Sequence, residues 1–149
     1  MRNNPGSSRL FRASEAAALG LHAAAVLAGV EDRLAPTREI AAALKVSEAH
    51  LAKVMVQLER SGIVTGVRGP TGGYRLARPA RHITLKEVYE AIEGPLQAGD
   101  CPFGVPVCDG TRCVLGGFFD RLNRQAVDKL HRTRVSDIVL TLGGNHAQA

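Results

Sequence analysis

The spacing of apolar positions divides the chain into short helices interrupted once by a hairpin. Residues 12–29, RASEAAALGLHAAAVLAG, are rich in alanine and leucine and predict a helix that Ser14 begins and Gly29 ends. Leu19, Val26 and Leu27 give it an apolar side, and the alanines between them let another helix approach closely. In APTREIAAALKVSEAHLAKVMVQLERSGIV a short helix starts at Pro36-Thr37, with Thr37 as its N-cap. The turn falls at Leu44-Lys45-Val46, and Ser47 caps a second helix reaching Arg60. Leu51, Val54, Met55 and Leu58 recur there at three- and four-residue steps, which is one buried stripe. A short helix, a tight turn and a longer helix with an inward stripe make a helix-turn-helix.

After Gly62 the period shortens to two. GIVTGV is a strand, RGPTGG a tight turn and YRLARP a return strand, so the helix-turn-helix is followed at once by a β-hairpin wing. TLKEVYEAIE, residues 84–93, returns to the helical period. Thr84 caps it, Glu87 completes a capping box, and Leu85, Val88, Tyr89 and Ile92 face inward. A Gly/Pro-rich loop follows. Residues 114–132, VLGGFFDRLNRQAVDKLHR, then form a long amphipathic helix, with Val114, Leu115, Phe118, Leu122, Ala126 and Leu130 along one side and Phe119 beside them. At the end of so small a domain such a helix predicts a partner from a second subunit; the plainer alternative folds it back on its own domain. VSDIV is a short terminal helix or turn.

The fold class is therefore mainly α with a small β-hairpin wing: a winged helix-turn-helix plus a long C-terminal dimerisation helix. The chain divides into a flexible N-terminal segment (1–11), the DNA-binding domain (12–95), a cysteine-containing loop (96–113), the dimerisation helix with its short terminal element (114–142) and a flexible tail (143–149).

Composition sharpens this picture in two ways. The 149 residues include no Trp, two Tyr and four Phe, so the core must be aliphatic. The formal net charge is +5, and its placement matters more than its size. Residues 61–86 carry Arg68, Arg75, Arg78, Arg81 and Lys86 with no acid, whereas Glu87 to the end holds eight acids against six bases. A basic, acid-free wing suits a polyanion. Thr37 and Arg38 are placed to set the first helix of the pair against a DNA backbone. Ser47, Glu48, His50 and Lys53 lie near the start of the recognition helix, where phosphates and base edges come within reach. Arg68 at the wing tip suits a narrow minor groove, and Arg75 and Arg78 add phosphate contacts or simply solubilise the wing.

Nothing approaches 18 continuous apolar residues, and the polar start MRNNPGSSR is unlike an export leader. Three cysteines cannot all pair within one chain, which argues against a secreted disulfide scaffold and for the cytosol. An enzyme fits poorly: no Gly-rich loop joins a strand to a helix as a nucleotide site requires, and no paired carboxylates appear. A protein-binding scaffold built on the same fold would show no salt-dependent binding to duplex DNA.

All three cysteines fall in CPFGVPVCDGTRC, residues 101–113. Cys101, Cys108 and Cys113 are separated by six and four residues, which suits a zinc knuckle poorly and contains no Cys-x-x-Cys redox pair. Three thiolates on a Gly/Pro loop can wrap an iron–sulfur cluster, and Cys113 at the start of the long helix gains from the helix N-terminus. Bare redox-active thiols are the competing reading.

With the helix-turn-helix ahead of it and the three-cysteine loop behind it, VRGPTGGYRLARPARHITLKEVYEAIEG resembles the IscR/NsrR family of bacterial winged-helix regulators. Arg68-Gly69-Pro70, Gly72-Gly73-Tyr74 and Leu76 are the most specific part of a likeness running from Arg9 to Val139. The resemblance implies a homodimer that binds a double-stranded DNA operator, often as a repressor. It also implies a [2Fe–2S] or [4Fe–4S] cluster, held by Cys101, Cys108 and Cys113, that senses iron, redox state or nitric oxide. Where one branch of the family takes a fourth ligand from histidine three residues after the last cysteine, this chain has Gly116. Another branch uses a carboxylate near the start of the first helix, which Glu15 matches; His22, Asp100, Asp109 and His131 are weaker candidates. Some members bind no cluster, so a metal-free regulator of the same fold that senses thiols or a small molecule is the alternative.

Overall fold

In the computed structural model, residues 13–96, 113 and 115–139 are described. The segment 1–11, Cys101, Cys108, Asp100, Asp109, Val114 and the tail 143–149 lie outside them. The first helix, α1 (Glu15–Ala28), is capped by the Ser14 hydroxyl, which accepts from the Ala17 N–H at 3.0 Å. Its five consecutive residues Ala23–Leu27 are all buried, so it runs through the middle of the domain rather than over its surface. Small side chains make that possible. A Cβ at Gly20 would already lie 3.1 Å from the Ile92 side chain.

Around α1 pack α2 (Thr37–Leu44), α3 (Glu48–Arg60) and α4 (Leu85–Glu93). Leu27, Ile40, Leu51, Met55, Leu58, Ile83 and Val88 are almost completely buried where these helices converge, giving the aliphatic core that the composition requires. Pro36, not Thr37, is the N-cap of α2, and no side chain caps it; Thr37 is its first turn. Proline's fixed φ sets the extended geometry of that position (φ −60°, ψ 146°). The turn between α2 and α3 places Lys45 in the left-handed region (φ 55°, ψ 42°), where its N–H and that of Val46 close α2 onto Ala42 and Ala41. Ser47 caps α3 through the His50 N–H at 3.2 Å. Thr84 and Glu87 form the reciprocal capping box on α4.

The wing is β1 (Val64–Val67) paired antiparallel with β2 (Gly73–Leu76), in the register Val64↔Leu76 to Val67↔Gly73. It is not a free ribbon. Ala35, just before α2, makes an antiparallel bridge with Tyr74 through two backbone hydrogen bonds of 2.8 Å. Glu59 near the end of α3 accepts the Gly66 N–H at 3.1 Å. The wing is thus fastened to both helices of the pair.

The long helix α5 (Gly116–Arg132) touches the domain mainly at its C-terminal end, where Leu130 packs with Ala17 and Tyr89. The chain then returns to the base of α4: Leu85 N–H donates to Thr133 O and Val135 N–H to Ile83 O, each at 2.9 Å, and Val135 is fully buried. Towards the start of α5 the pattern differs. Leu115, Phe118 and Leu122 remain 43%, 52% and 45% exposed, so much of the apolar side is left uncovered by the described residues.

Candidate nucleic-acid interface

The hairpin, the start of α2 and the outer side of α3 enclose a groove of about 530 Å³. Of the residues expected to meet DNA, the structure brings Thr37, Arg38, Glu48 and Arg68 to its walls. Arg38 and Arg68 are exposed there, one on a helix and one at the hairpin tip. Ser47 spends its hydroxyl on the helix cap, and Lys53 stands exposed on the outer face of α3.

Three residues are placed elsewhere. Arg75 projects from β2 away from the groove's lining. Arg78 is committed to the fold: it donates to the His82 carbonyl at 3.1 Å and to the Glu87 carboxylate at 3.0 Å. Partial burial pushes the Glu87 carboxyl up, but the Thr84 N–H, the Arg78 guanidinium and the Thr84 hydroxyl together outweigh it and hold it below its ordinary value. His50 turns to the far side of α3, with Nδ1 3.9 Å from the Glu15 carboxylate at the start of α1.

Val56, Glu59 and Val67, to which the sequence assigned no role, also line the groove, as does Tyr74 of the family-like run. Val56 and Val67 are 39% and 47% exposed, an unusual place for branched aliphatic side chains beside charged ones. Glu59 is the wing's tether, and burial together with the nearby Glu59 carboxylate raises the Tyr74 phenol above its usual value. The signal for Val56 was present in the helical period, since it falls outside the buried stripe. The signal for Glu59 was not, because its partner is a backbone N–H supplied by the hairpin.

Of the candidate metal ligands, Cys113 is a half-buried free thiol just ahead of α5, and Glu15 is an exposed side chain (84%) at the start of α1. Cys101 and Cys108 are outside the described residues. Among the described residues no group of three or more His, Cys, Asp or Glu side chains gathers as a metal site would. His22 is exposed and its ring nitrogen lies 2.7 Å from the Ala18 carbonyl; His131 is exposed on the last turn of α5. No helix among the described residues is long and apolar enough to cross a membrane.

Comparisons with known proteins converge on this architecture. The profile of the Rrf2 family, described as iron-dependent transcriptional regulators, matches residues 13–141. The helix-turn-helix transcriptional regulator IscR of Cereibacter sphaeroides is 34% identical over 111 residues, covering 72% of each chain. Protein aau3 of Rhizobium meliloti is 35% identical over 113 residues, 69% of this chain and 73% of that one. Among solved structures, CymR, the global cysteine regulator of Bacillus subtilis, superposes with a TM-score of 0.74 at 23% identity, covering 87% of this chain and 96% of its own. IscR of T. potens superposes with a TM-score of 0.69 at 22% identity, covering 86% and 85%.

Proposed function

Because this chain belongs to the Rrf2 family and is thereby a DNA-binding transcriptional regulator rather than an enzyme, we propose that it acts as a homodimeric, operator-specific repressor whose grip on DNA is set by chemistry at its cysteines. The observation that carries the DNA half of this reading is the groove between α3 and the wing, rimmed by Arg38 and Arg68. With α3 in a major groove, its solvent face meets base edges, Arg38 at the start of α2 takes a flanking phosphate, and Arg68 enters the adjoining minor groove. Lys53 and Arg75 add phosphate contacts, Ser47 and Glu48 sit where the helix enters, and His50 and Arg78 act indirectly, through Glu15 and Glu87.

The exposed side of α5 supports the dimer. Leu115, Phe118 and Leu122 form an apolar strip, and a second α5 laid against it would bury all three and bring two recognition helices to one two-fold operator.

For the signal, the thiols of Cys101, Cys108 and Cys113 are the reactive groups. Metal-free sensing by thiol oxidation or capping needs those three residues alone. A cluster needs a fourth ligand, and Glu15, the side chain in the matching position, is solvated beside His50. The cluster reading retains support from the family's description as iron-dependent and from a thiolate-rich donor set, which suits iron–sulfur chemistry. In that case Cys101, Cys108, Cys113 and Glu15 would hold it, and it would supply sensitivity to oxidants, nitric oxide or iron supply. Under both readings the loop lies between α4 and α5, so a change in it alters how α5 is seated and hence the spacing of the two recognition helices.

The test is an ultraviolet–visible spectrum of anaerobically purified protein with iron and sulfide assays, alongside operator binding before and after mild oxidation. Colourless, iron-free protein whose DNA affinity still changes on oxidation, and no longer does so in Cys108→Ala, supports thiol sensing. Matched iron and sulfide supports the cluster. An affinity indifferent to oxidation, reduction and iron alike would refute a sensory role for the loop.

A further inference from the structure

The wing-side part of the solvent face of α3 carries a short apolar strip where a solvent-facing helix is usually polar. At 100° per residue Ala49, Ala52 and Val56 fall within one arc on the wing side of the line opposite the buried stripe of Leu51, Val54, Met55 and Leu58, with Lys53 and Arg60 on the other side of that line. Ala49 and Val56 are exposed and Ala52 is half-exposed. Charged side chains flank the strip: Glu48 and Glu59 towards the wing, Lys53 and Arg60 beyond. No Asn, Gln or Arg stands on the strip itself, so the bidentate amide and guanidinium contacts to adenine and guanine have no donor there.

One feature of the major groove matches a branched aliphatic side chain with no polar atoms: the thymine 5-methyl group. Resting on the operator-binding reading above, we propose that Val56, with Ala49 and Ala52 clearing the approach, is a specificity determinant that reads thymine methyl groups in the half-site. The occupant is a DNA edge rather than a protein face because the strip is narrow, stands on the second helix of a helix-turn-helix, and has cations at Arg38, Lys53, Arg60 and Arg68 on its borders where phosphates would run. Glu48 and Glu59 on the wing side disfavour a phosphate within the groove, which keeps the backbone to the rim and the bases towards Val56.

An operator selected from a random duplex library with the full chain supplies the probe. Each thymine is then replaced singly by deoxyuridine, which pairs identically and lacks only the methyl group. At one position or more per half-site, affinity should fall about three- to fourfold, the effect of leaving one methyl unburied. Val56→Ala should abolish that sensitivity at the same position, whereas Lys53→Ala should weaken binding to both duplexes equally. Tight binding with no uracil-sensitive position, or full sensitivity retained in Val56→Ala, overturns the inference and leaves the operator reading intact. A chain that enriches no duplex overturns both.

Discussion

Replacing Gly73 with alanine should detach the wing from the helix pair. A Cβ at this position would lie 2.5 Å from the Ala35 carbonyl oxygen, 2.6 Å from its carbon and 2.8 Å from the Pro36 nitrogen. All three are backbone atoms, so no rotamer change relieves the overlap. The strand must move away from Ala35, and the two 2.8 Å hydrogen bonds joining Ala35 to Tyr74 go with it. At about 0.5–1.5 kcal/mol each, their loss costs roughly 2 kcal/mol. For a domain of this size that corresponds to a fall in Tm of roughly 6–10 °C. Thermal denaturation followed by circular dichroism measures it, with Thr71→Ala at the exposed hairpin tip as the control. Operator binding gives the functional arm: with Arg68 no longer held over the groove, one cation fewer displaces counterions from the DNA, and the slope of log affinity against log salt should fall by about one. A Gly73→Ala protein that melts within about 2 °C of wild type and still protects the Tyr74 amide from exchange would refute the reasoning.

Further substitutions probe other joints. Lys45→Gly should raise stability by roughly 0.5–1 kcal/mol, since an exposed side chain leaves a left-handed position; an unchanged or lower urea midpoint counts against it. Because the Glu87 carboxyl is held below its ordinary value, its stabilising share is complete above the ordinary glutamate range and disappears as pH falls through the lowered value. Stability–pH curves of wild type and Glu87→Gln should therefore differ at neutral pH and converge in acid, whereas a constant offset would show that Arg78 and Thr84 do not favour the ionised form. Leu122→Glu should leave the monomer's melting curve unchanged and halve the mass seen by sedimentation equilibrium, with operator affinity falling in parallel; a dimer that survives it is built on another surface.

The order of elements was legible in the sequence because their determinants are local. The stripe Leu51, Val54, Met55, Leu58 forces a helix of one handed face, Ser14, Ser47 and Thr84 mark where helices begin, and the Gly/Pro-rich turn after Val67 reverses the chain. The family likeness was legible for the same reason, resting on contiguous runs around Arg68–Tyr74. Tertiary structure decided which of those residues are free to act. Arg78 and Arg68 look alike in a basic, acid-free stretch, yet Arg78 is held by Glu87, nine residues on, while Arg68 is exposed at the hairpin tip beside the groove. His50 and Val56 both lie outside the buried stripe of α3. Only the packing of α1 on one side and the wing on the other sends His50 to Glu15 and Val56 into the groove. Local propensity acts over a few residues and reads directly from the chain. Pairing between α1 and α3, or between Ala35 and Tyr74, depends on where the core brings distant segments together, and no short window of sequence contains it.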